Sequence, residues 1–275
     1  MNMKIKYSMA FLCLSLMVGC KKDIPAVPVP QTKAVTGQEA PCENLTWGGF
    51  PRIVADRNMA TSFVCRHAYA LNFNGTRGTS DWVVEKISEP GGDFEDQFRD
   101  DPELPESLQT TPEDYLGIGY QKGFLADPKN TSFQSDQSHA FYLSNVFPQH
   151  PEQVGAWQMI QKWAQSQALK KKGVFAITGV VYKDGDGLGW VGVGSENSSG
   201  NQGKVQVPTS VFKIVVHPES RSVMAFMVPN GPEAKGSLNT FVVSVNDIEN
   251  QTGLVFFPDW PENEQKALKL RSSWR

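Results

Sequence analysis

Histidine and cysteine are scarce in this sequence, with four of each in 275 residues, and most compact catalytic patterns are missing with them. No H-E-x-x-H run, Walker loop, G-x-S-x-G elbow or Cys/His cluster with zinc spacing occurs. That excludes the short-motif metalloproteases, P-loop enzymes, serine hydrolases and zinc modules. Charge of one sign is not in excess either: 26 Lys and Arg against 29 Asp and Glu leave a net charge of -3. Such a chain does not coat nucleic acid through bulk positive charge, although a local basic groove is compatible with it. Internal repeats are absent, and no apolar run reaches the about twenty residues of a membrane-spanning helix. The Gly-rich stretch Asp184-Gly185-Asp186-Gly187-Leu188-Gly189 lacks an acidic residue at the fifth position of a calcium loop. It also has Ser195 where the bidentate glutamate belongs, so it reads as a hairpin loop.

What is present starts with Lys4 and Lys6, an apolar run from Met9 to Val18, and then Gly19-Cys20. This order predicts a signal peptide over residues 1–19. Leu16-Met17-Val18-Gly19-Cys20 resembles the lipobox of bacterial lipoproteins, which implies lipidation of Cys20, with plain secretion as the alternative. Lys21 after the cysteine leans towards the outer membrane, so the expected location is the bacterial cell envelope, lipid-anchored and facing the periplasm. Residues 20–45, rich in Pro, Val, Lys and Gln, read as a flexible tether, and residues 46–275 as the folded domain. With Cys13 in the signal and Cys20 lipidated, Cys42 and Cys65 remain as a pair in an oxidising compartment. They form either a disulfide or two reduced, buried thiols.

Runs rich in Val, Ile, Phe and Tyr predict strands at Ser62–Leu71, Trp82–Ile87, Phe141–Asn145, Val174–Tyr182, Phe212–His217, Val223–Val228 and Phe241–Val245. Helical periodicity covers Gln153 to Lys171, with Val154, Trp157, Ile160, Ala164 and Ala168 on one face. A shorter helix is expected at Val245–Gln251, ended by Gly253. The class is α+β, mainly antiparallel strands with one long helix. His67 and His217 fall in or beside strands and read as structural residues, and His150 as a loop residue.

A series of segments then carries a resemblance. Phe63-Val64-Cys65-Arg66-His67-Ala68-Tyr69, Trp82-Val83-Val84-Glu85-Lys86, Phe98-Arg99-Asp100-Asp101-Pro102, Gly119-Tyr120, Phe141-Tyr142-Leu143-Ser144-Asn145, Pro148-Gln149 and Gly155-Ala156-Trp157 come in one order. So do Ile177-Thr178-Gly179, Val207-Pro208-Thr209, Ala225-Phe226-Met227-Val228-Pro229-Asn230 and Asp247-Ile248-Glu249-Asn250-Gln251-Thr252-Gly253-Leu254. This ordered set resembles the DNA/RNA non-specific endonuclease family, of the Serratia nuclease and mitochondrial endonuclease G type. The resemblance implies a ββα-metal nuclease fold, a central mainly antiparallel sheet flanked by helices. It implies three working parts: a histidine ending an Asp-Arg-Gly-His block as general base, an asparagine at the start of the long helix holding one hydrated Mg2+, and a glutamate two turns further on supporting that ion's water shell.

Carried over residue by residue, that block falls on Gln121-Lys122-Gly123-Phe124, the asparagine on Gln153 and the glutamate on Gln161. Phe124 cannot take a proton, and two amides replace the metal's asparagine and carboxylate, so no confident cofactor is expected. Lys122 and Lys86 stand where the resemblance places arginines, keeping the charge without the bidentate fork, and Asn130 matches an asparagine after the block. The expected function is an envelope-anchored family protein, catalytically inactive or impaired, that binds DNA or RNA through Lys86, Lys122 and Asn130. One alternative is an active Mg2+-dependent endonuclease rebuilt around His139, in the D-x-x-H outline that starts at Asp136, or around Glu152 beside Gln153. The other is a structural or regulatory envelope protein with a protein partner.

Overall fold

Near-continuous apolar, β-branched runs bury both faces of the central strands, and the sheet they form is covered on both sides. The computed structural model describes residues 42–54, 59–115, 119–183, 187–192, 203–270 and 274. The strands are β1 (Arg52–Ile53), β2 (Thr61–Cys65), β3 (Tyr69–Asn74), β4 (Thr79–Ile87), β5 (Gln121–Phe124), β6 (Val146–Gln149), β7 (Val174–Val181), β8 (Trp190–Val191), β9 (Val205–Gln206), β10 (Ser210–His217), β11 (Ser222–Pro229), β12 (Val242–Val243) and β13 (Leu254–Val255). The helices are α1 (Gln134–His139), α2 (Val154–Lys171), α3 (Val245–Thr252) and α4 (Glu262–Lys269). Seven strands form the central sheet in the order β12-β11-β10-β7-β4-β3-β2, antiparallel throughout. The α+β class and the antiparallel sheet are therefore those expected, and the described residues belong to the compact unit Ala34–Arg275.

Neighbouring residues on one strand feed opposite cores, as a period of two requires. Val83 joins Leu71, Phe73, Trp157 and Ile160 under α2, whereas Trp82 and Val84 join Ile177, Ile214, Ile248 and Phe256 under α3. Helix α2 buries Trp157, Ile160, Ala164 and Ala168, together with Gln161 and Gln167 on the same side. It ends at Lys172 in the left-handed conformation, φ 58°. One charged pair lies between α2 and the sheet. Lys213 Nζ is 3.2 Å from Glu85 Oε1, with both side chains essentially inaccessible.

Several expected elements change. The single strand Ser62–Leu71 is a hairpin, β2 and β3, because the Arg66 N–H turns back to the Tyr69 carbonyl at 2.9 Å. Phe141–Asn145 is not a strand: Leu143–Asn145 is a 3-10 turn and the strand starts at Val146. Asn145 explains the difference. Its amide accepts from Ala126 N at 2.9 Å and donates to Ala126 O at 2.8 Å and Ala140 O at 2.9 Å, so side-chain bonds replace the strand ladder locally. Strand β5 and helices α1 and α4 lie in polar segments without apolar periodicity. Cys42–Leu45, expected in the tether, is a 3-10 turn with Leu45 buried in the core. Cys42 and Cys65 are joined in a disulfide, Cα–Cα 6.0 Å. Residues 184–186 of the Gly-rich stretch, Ser195, and the segment holding Cys20 lie outside the described residues.

Candidate functional site

The β5–β6 hairpin feeds the long helix, and this ββα unit carries the three positions that matter. Lys122 pairs with Pro148 and Phe124 with Val146. Gly123 is required between them, since an added Cβ would stand 2.5 Å from the Phe147 ring. After β6 the chain turns through Pro151–Gln153, where His150 caps by accepting from Glu152 N at 3.2 Å. Trp157 Nε1 in the first turns of α2 then donates to the Phe124 carbonyl at 3.0 Å, tying the helix to the end of β5.

Phenylalanines occupy the space around Phe124. Its ring lies 5.4 Å from Phe98, stacked, and 5.1 Å from Phe141, edge-on. Lys122, two residues earlier on the same strand face, holds its ammonium 5.3 Å from the Phe98 ring and 5.4 Å from Tyr115. Burial there pushes the Lys122 pKa down. The result is a half-buried cationic and aromatic surface with no proton acceptor at the Phe124 position.

The two glutamines turn inward. Gln153 is fully buried; its Oε1 accepts from Gln149 Nε2 at 3.1 Å and its Nε2 donates towards Val228 O at 3.3 Å. Gln161 sits between Asp127 and Trp157, its amide nitrogen 3.3 Å from Asp127 Oδ2 and its oxygen 3.2 Å from Trp157 Nε1. Asp127 itself has its carboxyl pKa raised by burial, against the opposing pull of the Lys129 N–H.

The remaining positions are scattered around this unit. Asn130 is buried, donating to Glu85 Oε2 at 2.8 Å and accepting from Gln165 at 3.0 Å, so its amide is spent inside rather than offered to a ligand. Lys86 follows Glu85 on β4, exposed, 5.8 Å from the Phe175 ring. It lines a cleft of about 360 Å³ that contains neither Lys122 nor Phe124. Glu152 is an exposed residue paired with Lys235 at 3.3 Å. His139 stacks on Tyr142 at 5.7 Å, its Nδ1 buried without a partner, and burial, with Arg66 beside it, holds its pKa below the ordinary value. The D-x-x-H outline does not close, because Asp136 bonds His67 instead, Oδ2 to Nδ1 at 2.7 Å. Local sequence carries no signal for that pairing, since the partners stand 69 residues apart. His67, read from sequence as structural, has a side chain 64% exposed.

Residues 50–263 match the family model of the DNA/RNA non-specific endonucleases. The chain belongs to that family. Its family relatives include the mitochondrial nuclease EXOG of Danio rerio, 32% identical over 226 residues, covering 76% of this chain and 63% of that protein. The EXOG of Mus musculus is 30% identical over 69% of this chain and 55% of its own length. This endonuclease-family chain thus spans less than two thirds of those relatives. A nuclease of Nostoc sp. is 27% identical, with 75% and 77% covered. A solved structure of an EndoG/EndoGI complex superposes with a TM-score of 0.65 at 20% identity, over 84% of this chain and 96% of that one. It shares the ββα-metal nuclease fold.

The metal that the endonuclease family implies finds a poor donor set here. A hydrated Mg2+ takes oxygen ligands in near-ideal octahedral geometry, usually with a carboxylate in reach. The Gln153 oxygen is buried and already accepts from Gln149, Gln161 brings no charge, and among the described residues no three His, Cys, Asp or Glu side chains converge on one point.

Proposed function

We propose that this family member is an envelope-anchored protein, lipidated at Cys20, that binds DNA or RNA without hydrolysing it by the family's mechanism. One observation carries the loss of hydrolysis. The position of the general base is a phenyl ring packed between Phe98 and Phe141, and phenyl neither accepts nor delivers a proton. The inward-turned amide of Gln153 supports the same reading, because the oxygen that would face an ion is already accepting from Gln149.

Binding is supported by what stands around that ring. Lys122 presents a cation beside the half-exposed rings of Phe98 and Phe124, with Tyr115 buried beneath it, and a cation next to an accessible ring is the combination that holds a phosphate backbone while a base stacks. Lys86 adds a second, exposed cation on β4. The test is binding of the purified chain to a labelled oligonucleotide across a salt series. The slope of log K against log salt is expected to flatten by roughly 1.4 to 1.8 in Lys86→Ala/Lys122→Ala, for two lost phosphate contacts. An unchanged slope removes these lysines from the interface, and magnesium-dependent cleavage by the unmodified chain overturns the reading as a whole.

A further inference from the structure

The 360 Å³ cleft is not accounted for by the ββα unit, and its chemistry points to a ligand of its own. His67, Asp136, Lys86 and Phe133 line it, together with Glu85, Glu89 and Asp127. A volume of that size is in the range of small-molecule pockets. The His67 ring is fixed rather than free. Its Nδ1–H donates to Asp136 Oδ2, a carboxylate only 4% exposed that accepts and cannot donate. This leaves Nε2 as the ring's remaining polar atom, on a side chain that is largely accessible. Asp136 therefore works as the orienting group for an imidazole at the cleft, an arrangement that fixes which ring nitrogen meets a ligand.

Two of the cleft's four carboxylates, Glu85 and Asp136, face a basic side chain, Lys213 and His67. Glu85 is neutralised by Lys213 at 3.2 Å and also accepts from Asn130 at 2.8 Å. Asp136 is committed to His67, and Asp127 accepts Lys129 N at 2.9 Å. Glu89 is the carboxylate left at the rim, where it takes a long bond from Ser132 at 3.4 Å. Against it stand the Lys86 ammonium, a donor suited to the non-bridging oxygens of a phosphate, and His67, whose Nε2 donates to the same oxygens from the imidazolium form, with Asp136 as its counter-ion. Phe133 is 56% exposed and meets His67 edge-on at 5.7 Å, leaving a ring face available for a nucleobase.

We propose that this cleft binds a nucleoside phosphate monoester, the phosphate between His67 and Lys86 and the base against Phe133. Free nucleotide and the 5′-phosphorylated end of a strand share this chemistry. The inference shares only Lys86 with the nucleic-acid reading above and does not depend on Lys122. Its test is titration of the full chain with 5′-AMP, adenosine, and a short oligonucleotide with and without a 5′-phosphate. Saturable 5′-AMP binding is expected, with adenosine at least about ten-fold weaker and His67→Gln and Lys86→Ala each weakening 5′-AMP about ten-fold. Lys122→Ala leaves 5′-AMP affinity unchanged, and Glu89→Gln strengthens it. Preference for the phosphorylated oligonucleotide identifies a strand end as the source, and indifference to its phosphate identifies free nucleotide. No saturation by 5′-AMP at millimolar concentration, equal affinity for adenosine, or unchanged affinity in the exposed-site variant Lys86→Ala overturns the proposal. Oligonucleotide binding that is lost in Lys122→Ala while 5′-AMP binding persists would separate the two sites.

Discussion

Gln149 Nε2 donates to Gln153 Oε1 at 3.1 Å inside the turn that starts the long helix. The oxygen that the family's asparagine would present to an ion is here an internal acceptor, and the amide is buried on every side. Restoring only the base should therefore fail. Phe124→His is expected to show no plasmid nicking with Mg2+ or Mn2+, while Phe124→His/Gln153→Asn/Gln161→Glu gains metal-dependent nicking visible on a gel. Nicking by the single variant would show that the inward amides are compatible with hydrolysis.

The Glu85–Lys213 pair lies under α2, out of water. Burial raises the Glu85 carboxyl pKa, with Lys213 and then Asn130 pulling it back down. Removing one partner leaves the other charge uncompensated, so Lys213→Met should cost about 3–5 kcal/mol in urea unfolding. In Lys213→Met/Glu85→Gln at least half of that loss should return, because the new amide oxygen still accepts from Asn130. A double variant as unstable as the single would mean that packing, not charge, sets the cost.

Cys42 and Cys65 close a loop with a sequence separation of 23, tying the first turn to β2. Cross-linking a loop of that length restrains the unfolded chain, and Cys42→Ser/Cys65→Ser is expected to lower stability by about 3 kcal/mol. The measurement is denaturant unfolding of the two proteins under oxidising conditions. An equal midpoint would place the stabilising contribution of this segment in Leu45 alone.

His139 supplies a pH dependence. Burial first, then Arg66 with a smaller push from Arg99, holds its imidazole below 6.5, against the opposing pull of Asp136 and Glu103. The unfolded chain takes up the proton as pH falls through about 6.5, and the folded chain only lower. The stability tied to this depressed group is therefore complete above that pH and is lost as pH falls towards the folded value. Unfolding midpoints at pH 7.5 and pH 5.5 should drop less in His139→Gln than in the unaltered chain. Parallel drops would remove His139 as a contributor.

Much of the fold is legible in the order of the amino acids. The β-branched runs mark the strands of the sheet, and the 3.6-residue period marks α2, because burial of one face leaves that pattern in any sequence. Strand β5 is not legible by periodicity, since Gln121-Lys122-Gly123-Phe124 has one buried residue, Gly123. The family resemblance locates it instead. Asn145 defeats the strand pattern because its side chain competes with the backbone ladder, a local preference that the apolar run conceals.

What the sequence by itself determined is the chemistry on offer: a phenyl at position 124, amides at 153 and 161, lysines at 86 and 122, and four histidines. Which polar atoms remain available was decided by the tertiary structure. Asp136 could have served His139 three residues on, yet it serves His67 across 69 residues. Lys213 neutralises Glu85 across 128 residues, and Asn130, expected at a ligand, spends its amide on that same pair. The physical reason is that a buried hydrogen-bonding group must find a partner wherever packing brings one. Covalent order restricts the candidates, and three-dimensional packing makes the choice.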